Sequence, residues 1–210
     1  MLFRSDKMLP YFPIQEENPF LGWRGIRVTL DHPDLFLLQV RAMMRASEGL
    51  DNLRILLPMV TTLSEIDEAV YLIDQAYAEL VEEQCPIEKP KLGVMIEVPA
   101  AVYQAREFAS RVDFLSVGTN DLAQYVLAVD RNNARVANLY DALHPAILQM
   151  LLKIIEGGHA AGVPISLCGE MASDPYAVVL LLAMGFDALS MNAASLPRVK
   201  DRKSTRLNSS

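Results

Sequence analysis

The stretch Leu92–Glu97, Leu-Gly-Val-Met-Ile-Glu, contains the pattern on which the whole chain is built. Its first part, Leu92–Ile96, is a short apolar run of strand length, and an acid, Glu97, follows it at once. Strands of a parallel sheet are covered on both faces, so they read as continuous apolar runs rather than as alternating ones. The stretch therefore favours an α/β fold in which a buried strand delivers a carboxylate at its end.

Similar runs lie on both sides of this stretch, separated by segments with helical spacing. Ile55–Met59 is followed by a capping box at residues 62–65 and by a helix with apolar residues every three or four positions. Pro145 starts a further helix that reaches about Ala161, and Asp174-Pro175 starts another. The remaining predicted elements are a helix over Ala101–Ala109 and strands at Phe114–Val117, Pro164–Leu167, Ala188–Met191 and somewhere within Leu21–Val28.

The pattern amounts to about six β/α units. A doubly wound open sheet and a (β/α)8 TIM barrel both fit this alternation, and the pattern alone does not choose between them. No Gly-x-Gly-x-x-Gly follows a predicted strand, which disfavours a dinucleotide-binding fold. The chain has 210 residues, whereas a complete barrel normally needs about 250. A barrel would therefore be incomplete here.

Composition excludes several classes of function. The net charge is −7, and Lys and Arg are scattered, so nucleic acid is a poor candidate partner. The apolar runs are far too short to span a membrane, and the two cysteines do not suggest a disulfide framework. We expect a cytoplasmic protein without a signal peptide or a membrane contact.

The two ends differ from the rest. Residues 203–210 lack an apolar period, and residues 2–5 are equally abrupt; both resemble translated sequencing-adapter sequence. The expected organisation is a non-native start at residues 1–5, a partial barrel domain at 6–200 and a non-native tail at 201–210. A natural disordered terminus is the alternative.

Polar side chains follow three of the predicted strands. Glu97 follows the first, Asn120 and Asp121 the second, and Cys168 the third. Ligands of parallel α/β folds bind beyond the carboxyl ends of the strands, and adjacent strands lie about 5 Å apart. Glu97 and Asp121 are therefore placed to share one cation, for which Mg²⁺ is the best fit. The alternative is that each acid merely caps the helix after its strand.

Five motifs occur in an order that resembles a known family. They are Glu17–Arg24, Gly93–Pro99, Gly118–Tyr125, Val129–Arg131 and Leu167–Glu170. Together they closely resemble the C-terminal domain of bacterial enzyme I, a phosphoenolpyruvate–protein phosphotransferase, from about Asp6 to Lys200. Asp130–Asn133 and Asn138–Tyr140 are more similar to the nitrogen-related branch of that family than to the sugar-transport branch.

The resemblance implies a (β/α)8 barrel that binds phosphoenolpyruvate and Mg²⁺. By motif, Glu97 and Asp121 would be the metal ligands. The substrate would be bound by Asn120, Asp121, Arg131 and Arg24, the arginines through guanidinium contacts to oxygens.

Cys168 would be the proton donor that converts the enolate to pyruvate, since a free thiol is ordinarily protonated near neutral pH. Without the resemblance, a buried structural cysteine would be the more common fate of such a residue. Arg131 could likewise be a surface ion-pair partner.

The resemblance also implies partners. In the family, a histidine of a separate N-terminal domain accepts the phosphate and passes it to a histidine-containing phosphocarrier protein. None of the three histidines here has that context, and two further substrate arginines would lie before Asp6. The intact family forms homodimers. We expect this chain alone to be unstable and inactive in phosphotransfer.

Two other readings remain open. Pyruvate phosphate dikinase and phosphoenolpyruvate synthase share the barrel and the metal site, although Val129–Arg131 argues against them. A nucleotide-binding domain encoded in the same gene would favour these enzymes. A non-catalytic interaction module is the third reading, and the absence of an upstream phosphohistidine domain from the gene would favour it.

Overall fold

A computed structural model describes residues 16–207, with the backbone alone for residues 202–207. The chain divides into two compact units, residues 1–93 and 94–210, and each is described here by itself. The predicted non-native start, residues 1–5, lies outside the described residues, as do residues 208–210 of the predicted tail.

Within residues 16–93, the described part of the first unit, there are three helices and the first strand. Its elements are α1 (Ile26–Asp31), α2 (Pro33–Ala46), β1 (Arg54–Leu57) and α3 (Leu63–Glu82). The predicted capping box is present, because the Thr62 hydroxyl accepts from the Glu65 amide and the Glu65 carboxylate accepts from the Thr62 amide. Arg41 of α2 forms ion pairs with Glu79 of α3 and with Glu83 just after α3, both at 2.6 Å. These bonds raise the pKa of Arg41 and lower that of Glu83.

The strand predicted within Leu21–Val28 is wrong, because residues 26–31 form the helix α1. Ile26 and Val28 are both buried, at a spacing of two residues that is typical of a strand rather than of one helix face. Gly25 enters the helix with a φ of +60°, and the Ile26 amide donates to the Pro58 carbonyl at 3.1 Å. This tertiary contact and the positive φ decide in favour of the helix.

The second unit contains the remaining elements. Strand β2 (Lys91–Ile96) spans the boundary between the two units. The main elements after it are α4 (Pro99–Val102), α5 (Ala105–Ala109), β3 (Phe114–Gly118), α6 (Thr119–Leu127), α7 (Pro145–Ala160), β4 (Ile165–Cys168), α8 (Pro175–Met184), β5 (Ala188–Ser190) and α9 (Leu196–Leu207). Asp174 caps α8 as predicted, through its carboxylate and the Tyr176 amide. The single helix predicted over Ala101–Ala109 is interrupted at Tyr103 and Gln104.

The strands form one sheet in the order β1-β2-β3-β4-β5. The pairs β3–β4 and β4–β5 are parallel, with Gly118 opposite Cys168 and Cys168 opposite Ser190. Sequential neighbours in a parallel sheet fit the predicted β/α repeat. The described residues hold five strands rather than six.

The two faces of β3 and β4 differ in character. Leu115, Val117, Ile165 and Leu167 are fully buried. Side chains alternate along a strand, so Ser116 and Gly118 of β3 share the opposite face with Ser166 and Cys168 of β4. This second face is polar, and it leads to the strand ends where the predicted site residues lie.

Helix α9 continues through residues 203–207, part of the segment predicted to be a non-native tail. That assignment remains a prediction, because a helical backbone does not report where a sequence comes from. Among the described residues there is no helix with the length and hydropathy needed to cross a bilayer.

Candidate active site at the strand ends

The carboxyl ends of β2 and β3 bring an acid and a glycine together. Glu97 follows β2 directly and is only 2% exposed. A Cβ atom added to Gly118, the last residue of β3, would lie 2.9 Å from Glu97 Oε2 and 3.0 Å from Met95 Sδ. Glycine is therefore required at this position because the carboxylate occupies the space in which a side chain would stand.

The second acid lies in the first turn of α6, directly after β3. Asp121 is 4% exposed, and its Oδ1 lies 3.3 Å from a terminal guanidinium nitrogen of Arg131. A carboxylate in the first helical turn also interacts favourably with the helix dipole. Glu97 and Asp121 are thus both buried, and they follow neighbouring strands of the sheet.

Arg131 is held by its backbone as well as by its guanidinium. Helix α6 ends at Ala128, which takes the left-handed conformation with a φ of 52° and turns the chain. The Arg131 amide then donates to Gln124 Oε1 at 3.2 Å. Because Asp121 and Gln124 are three residues apart on one helix face, they contact the same returning segment. Gln124 is itself buried.

The first turn of α6 is joined to the end of β4 and the segment after it by two hydrogen bonds. The Thr119 hydroxyl donates to the Cys168 carbonyl at 3.2 Å, and the Glu170 amide donates to Asn120 Oδ1 at 3.2 Å. Since the Asn120 oxygen is used as an acceptor, its NH₂ group is the part left to act as a donor. Gly169 makes this approach possible, because it has a φ of +134° and no side chain that would stand between the first turn of α6 and the end of β4.

Cys168 is the last residue of β4, and its thiol contacts β3. Its S–H donates to the Val117 carbonyl at 3.4 Å, and its sulfur accepts from the Ser116 hydroxyl at 3.9 Å. The thiol is half-buried. It is therefore held on the polar face of the sheet, one strand away from Gly118, beside which the Glu97 carboxylate lies.

Tyr140 interacts electrostatically with the same group of charges. Burial raises the pKa of its phenol, Arg131 opposes this rise, and Glu170 and Asp121 add to it. The phenol therefore keeps its proton at physiological pH.

The second unit thus brings five of the six predicted site residues to the ends of β2, β3 and β4. These are Glu97, Asn120, Asp121, Arg131 and Cys168. The sixth, Arg24, lies in the first unit, where it is 3% exposed and its guanidinium carbon lies 5.6 Å from the centroid of the Phe20 ring. Its role in the site stays a prediction.

The donor set suits one kind of metal. No cluster of three or more His, Cys, Asp or Glu residues occurs in the described part of the chain, which disfavours a closed zinc-type centre there. Two buried carboxylates that leave other coordination positions to ligand oxygens and water are typical of Mg²⁺. Glu97 and Asp121 are the residues that could hold it.

Three contacts were missed by reasoning from the sequence. Ser116 contacts the thiol, Gln124 anchors Arg131, and Tyr140 lies within electrostatic range of Asp121 and Arg131. The i, i+3 spacing of Asp121 and Gln124 could have indicated Gln124. Ser116 and Tyr140 depend on strand register and loop path, which the sequence does not specify.

Comparison with known proteins gives one family match. The family described as "PEP-utilising enzyme, PEP-binding domain" matches residues 1–207. A protein of Escherichia coli K12 named "Phosphoenolpyruvate-dependent phosphotransferase system" is 58% identical over 198 residues, which are 93% of this chain and 26% of that protein. The "Phosphoenolpyruvate-protein phosphotransferase" of Latilactobacillus sakei is 44% identical over 93% of this chain and 34% of its own length. The chain thus spans about a quarter to a third of these relatives.

Solved structures give fold matches at low identity. A citrate lyase from Burkholderia xenovorans aligns with a TM-score of 0.60 and 20% identity, covering 82% of this chain and 55% of that one. A pyruvate kinase from Cryptosporidium parvum aligns with a TM-score of 0.54 and 13% identity, covering 74% and 30%. At this level of sequence identity, the matches support the fold alone. With the parallel sheet, they confirm the predicted α/β fold of an incomplete (β/α)8 barrel.

Proposed function

Since the chain belongs to the PEP-utilising enzyme, PEP-binding domain family, we propose that it is the substrate-binding part of a phosphoenolpyruvate–protein phosphotransferase. The observation that carries this proposal is the buried acid pair, Glu97 and Asp121, at the ends of adjacent strands, with Arg131 ion-paired to Asp121. Such a site offers oxygen ligands to a cation and a guanidinium to an anion. Phosphoenolpyruvate carries both a phosphate and a carboxylate, so it needs both kinds of partner.

Glu97 and Asp121 would hold Mg²⁺, which when bound neutralises charge on the oxygens of the substrate. Arg131 would bind phosphate oxygens, and its 3.3 Å contact with Asp121 holds the guanidinium beside the acids. The Asn120 NH₂ group would donate to the substrate, because its oxygen already accepts from the Glu170 amide. Arg24 is proposed as a second guanidinium contact.

Cys168 would protonate the enolate that remains after the phosphoryl group leaves. The S–H bond breaks, a C–H bond forms at the methylene carbon, and sulfur keeps the electron pair as a thiolate. The enolate thereby becomes pyruvate, and the thiolate regains its proton from solvent. In this scheme the phosphoryl group goes to a histidine in another domain and then to a histidine-containing phosphocarrier protein.

The finer assignments are also proposals. We infer a homodimeric cytoplasmic enzyme of the nitrogen-related branch. In support of the branch, the segments Asp130–Asn133 and Asn138–Tyr140 are similar to it in sequence. The names of both relatives favour a phosphotransferase over a dikinase or a synthase.

Thermal unfolding of the 210-residue chain tests the ligand site. Mg²⁺ and phosphoenolpyruvate together should raise Tm more than either alone, because ligands that bind only the folded state stabilise it. At ten times Kd the gain is about 1.4 kcal/mol, or roughly 3–6 °C for a chain of this size. Glu97→Gln should abolish most of this shift. Glu107→Gln, on the exposed face of α5, is the matched control and should keep it.

Two results would contradict the ligand site. One is a Tm that both ligands together leave unmoved at millimolar concentrations. The other is an undiminished shift in Glu97→Gln. The first result would favour the non-catalytic module instead, and the second would remove Glu97 from the ligand site.

The role of Cys168 can be tested without a phosphoryl acceptor. Enolisation of bound pyruvate is the reverse of the proposed protonation, so the chain should exchange the methyl hydrogens of pyruvate with D₂O when Mg²⁺ is present. Nuclear magnetic resonance follows this exchange directly. Cys168→Ala should lose it, whereas Cys85→Ala, which removes the cysteine of the first unit, should retain it. Equal rates in the two variants would remove Cys168 from the chemistry.

A further inference from the structure

Ser116 is a buried polar residue that the proposed site does not use. It lies in the middle of β3, is 5% exposed, and directs its hydroxyl to Cys168 Sγ at 3.9 Å. A hydroxyl in such a position costs free energy unless it is hydrogen-bonded. The Ser116 hydroxyl donates to the sulfur of Cys168.

The thiol of Cys168 has a second contact with the same strand. Its S–H donates to the Val117 carbonyl at 3.4 Å. These two contacts are supplied by β3, and the parallel register that sets Gly118 opposite Cys168 brings them within reach. Two contacts from one rigid strand restrict the rotation of the thiol about its side-chain bond.

The two contacts favour opposite states of the sulfur. The Val117 carbonyl accepts a hydrogen bond from the S–H group, so it stabilises the neutral thiol. The Ser116 hydroxyl donates, and donation to a group favours its charged form. When the sulfur has given its proton to carbon it carries a negative charge, and Ser116 is then the partner that stabilises it.

We propose that Ser116 is a positioning residue for Cys168, which orients the thiol before proton transfer and stabilises the sulfur afterwards. The functional meaning of this inference rests on the proposed protonation by Cys168. The contact itself, however, can be tested in the chain without any ligand.

The chain provides a matched control in Ser166. It lies opposite Ser116 in the β3–β4 register, on the same face of the sheet, two residues before Cys168. Its hydroxyl donates to the Leu115 carbonyl at 3.4 Å and not to the thiol. Ser166→Ala therefore removes the same atom from the same face of the sheet, at a partly buried position, while leaving the sulfur untouched.

The first measurement is the Raman S–H stretching band of Cys168, in a Cys85→Ser background that leaves one thiol in the chain. Ser116→Ala should shift and broaden the band, because the thiol loses its contact with the Ser116 hydroxyl and samples more orientations. Ser166→Ala should leave the band unchanged. Ser116→Thr keeps a hydroxyl in a strand-compatible side chain and should restore it.

The second measurement is the rate of alkylation of Cys168 by iodoacetamide at one fixed pH. The thiolate is the reacting species, so loss of a hydroxyl that stabilises negative sulfur should slow the reaction. From the worth of one neutral hydrogen bond we expect a rate roughly threefold lower in Ser116→Ala. Ser166→Ala and Ser116→Thr should both react at the parental rate.

A band and a rate that are the same in Ser116→Ala and Ser166→Ala would overturn the inference. So would a faster reaction in Ser116→Ala. If Ser116→Ala does not unfold cooperatively, Ser116→Gly removes the same hydroxyl and is judged by the same criteria. Both measurements are made without Mg²⁺ or phosphoenolpyruvate. Failure of the proposed function appears separately, as a missing ligand-dependent shift in Tm.

Discussion

Replacement of Gly169 by alanine should destabilise the second unit more than any ordinary loop substitution. Gly169 has a φ of +134° and a ψ of 179°, a conformation essentially confined to glycine. A Cβ atom at this position would lie 2.3 Å from Thr119 Oγ1 and 3.0 Å from Asn120 Oδ1. Thr119 is completely buried and bonded to the Cys168 carbonyl, so it has little room to move away.

Three contributions determine how much Gly169→Ala lowers the free energy of unfolding. Backbone strain at such a φ costs about 1–3 kcal/mol. Overpacking against a fixed neighbour costs about 1–3 kcal/mol. A lost Thr119–Cys168 hydrogen bond costs about 0.5–1.5 kcal/mol. Because the contributions overlap, we expect Gly169→Ala to lower the free energy of unfolding by roughly 2–5 kcal/mol.

Urea unfolding followed by circular dichroism measures this loss, with ΔG extrapolated to water. Gly162→Ala is the control, since Gly162 also has a positive φ, +76°, but has nothing within 4 Å of an added Cβ. It should cost about 1 kcal/mol, from backbone strain alone. If Gly169→Ala costs no more than Gly162→Ala, Gly169 is not in close contact with Thr119 and Asn120 in the first turn of α6.

Three further predictions concern single contacts. Thr62→Ala should lower the free energy of unfolding by about 1 kcal/mol, measured by urea unfolding, because it removes the cap of α3. Gln124→Ala should reduce the shift in Tm caused by Mg²⁺ and phosphoenolpyruvate, since the Arg131 amide loses its 3.2 Å acceptor. Asp187 has a lowered pKa, chiefly because it accepts from the Ile165 amide and secondarily through His159. Its stabilisation is therefore present above the ordinary carboxyl value of 3.8 and is lost as the pH falls from there through the lowered pKa. Asp187→Asn should be less stable than the parent at pH 7, and the two urea midpoints should converge in that acidic range.

The elements that the sequence predicted correctly are those with local signals. The capping box at Thr62 and the Asp174 cap involve residues three or fewer positions apart, so the sequence itself contains both partners. The apolar run Leu92–Ile96 needs only to be covered on both faces to become a strand. Local chemistry and the fold agree at these positions, and no long-range information was required.

The elements that the sequence predicted wrongly are decided by distant contacts. The helix expected over Ala101–Ala109 is interrupted where α5 meets α7. A Cβ atom at Gly157 of α7 would lie 3.0 Å from the Arg106 amide nitrogen and 3.1 Å from the Ala105 Cβ. Backbones this close constrain the direction of α5, and a helical period along residues 101–109 contains no trace of that constraint.

The same distinction applies to the predicted site residues. Glu97 and Asp121 were predicted to share one edge of the sheet because each comes shortly after a predicted strand, and the ends of parallel strands share one edge. The role predicted for Cys168 came from the family resemblance. Ser116 lies within a strand, where a small residue is ordinarily part of the core. Its importance comes from the register that sets Gly118 opposite Cys168 and thereby brings the Ser116 hydroxyl to the sulfur. A shift of that register by one residue would turn the thiol to the other face of the sheet. The placement of the proposed proton donor therefore depends on the pairing of β3 with β4 as much as on the cysteine itself.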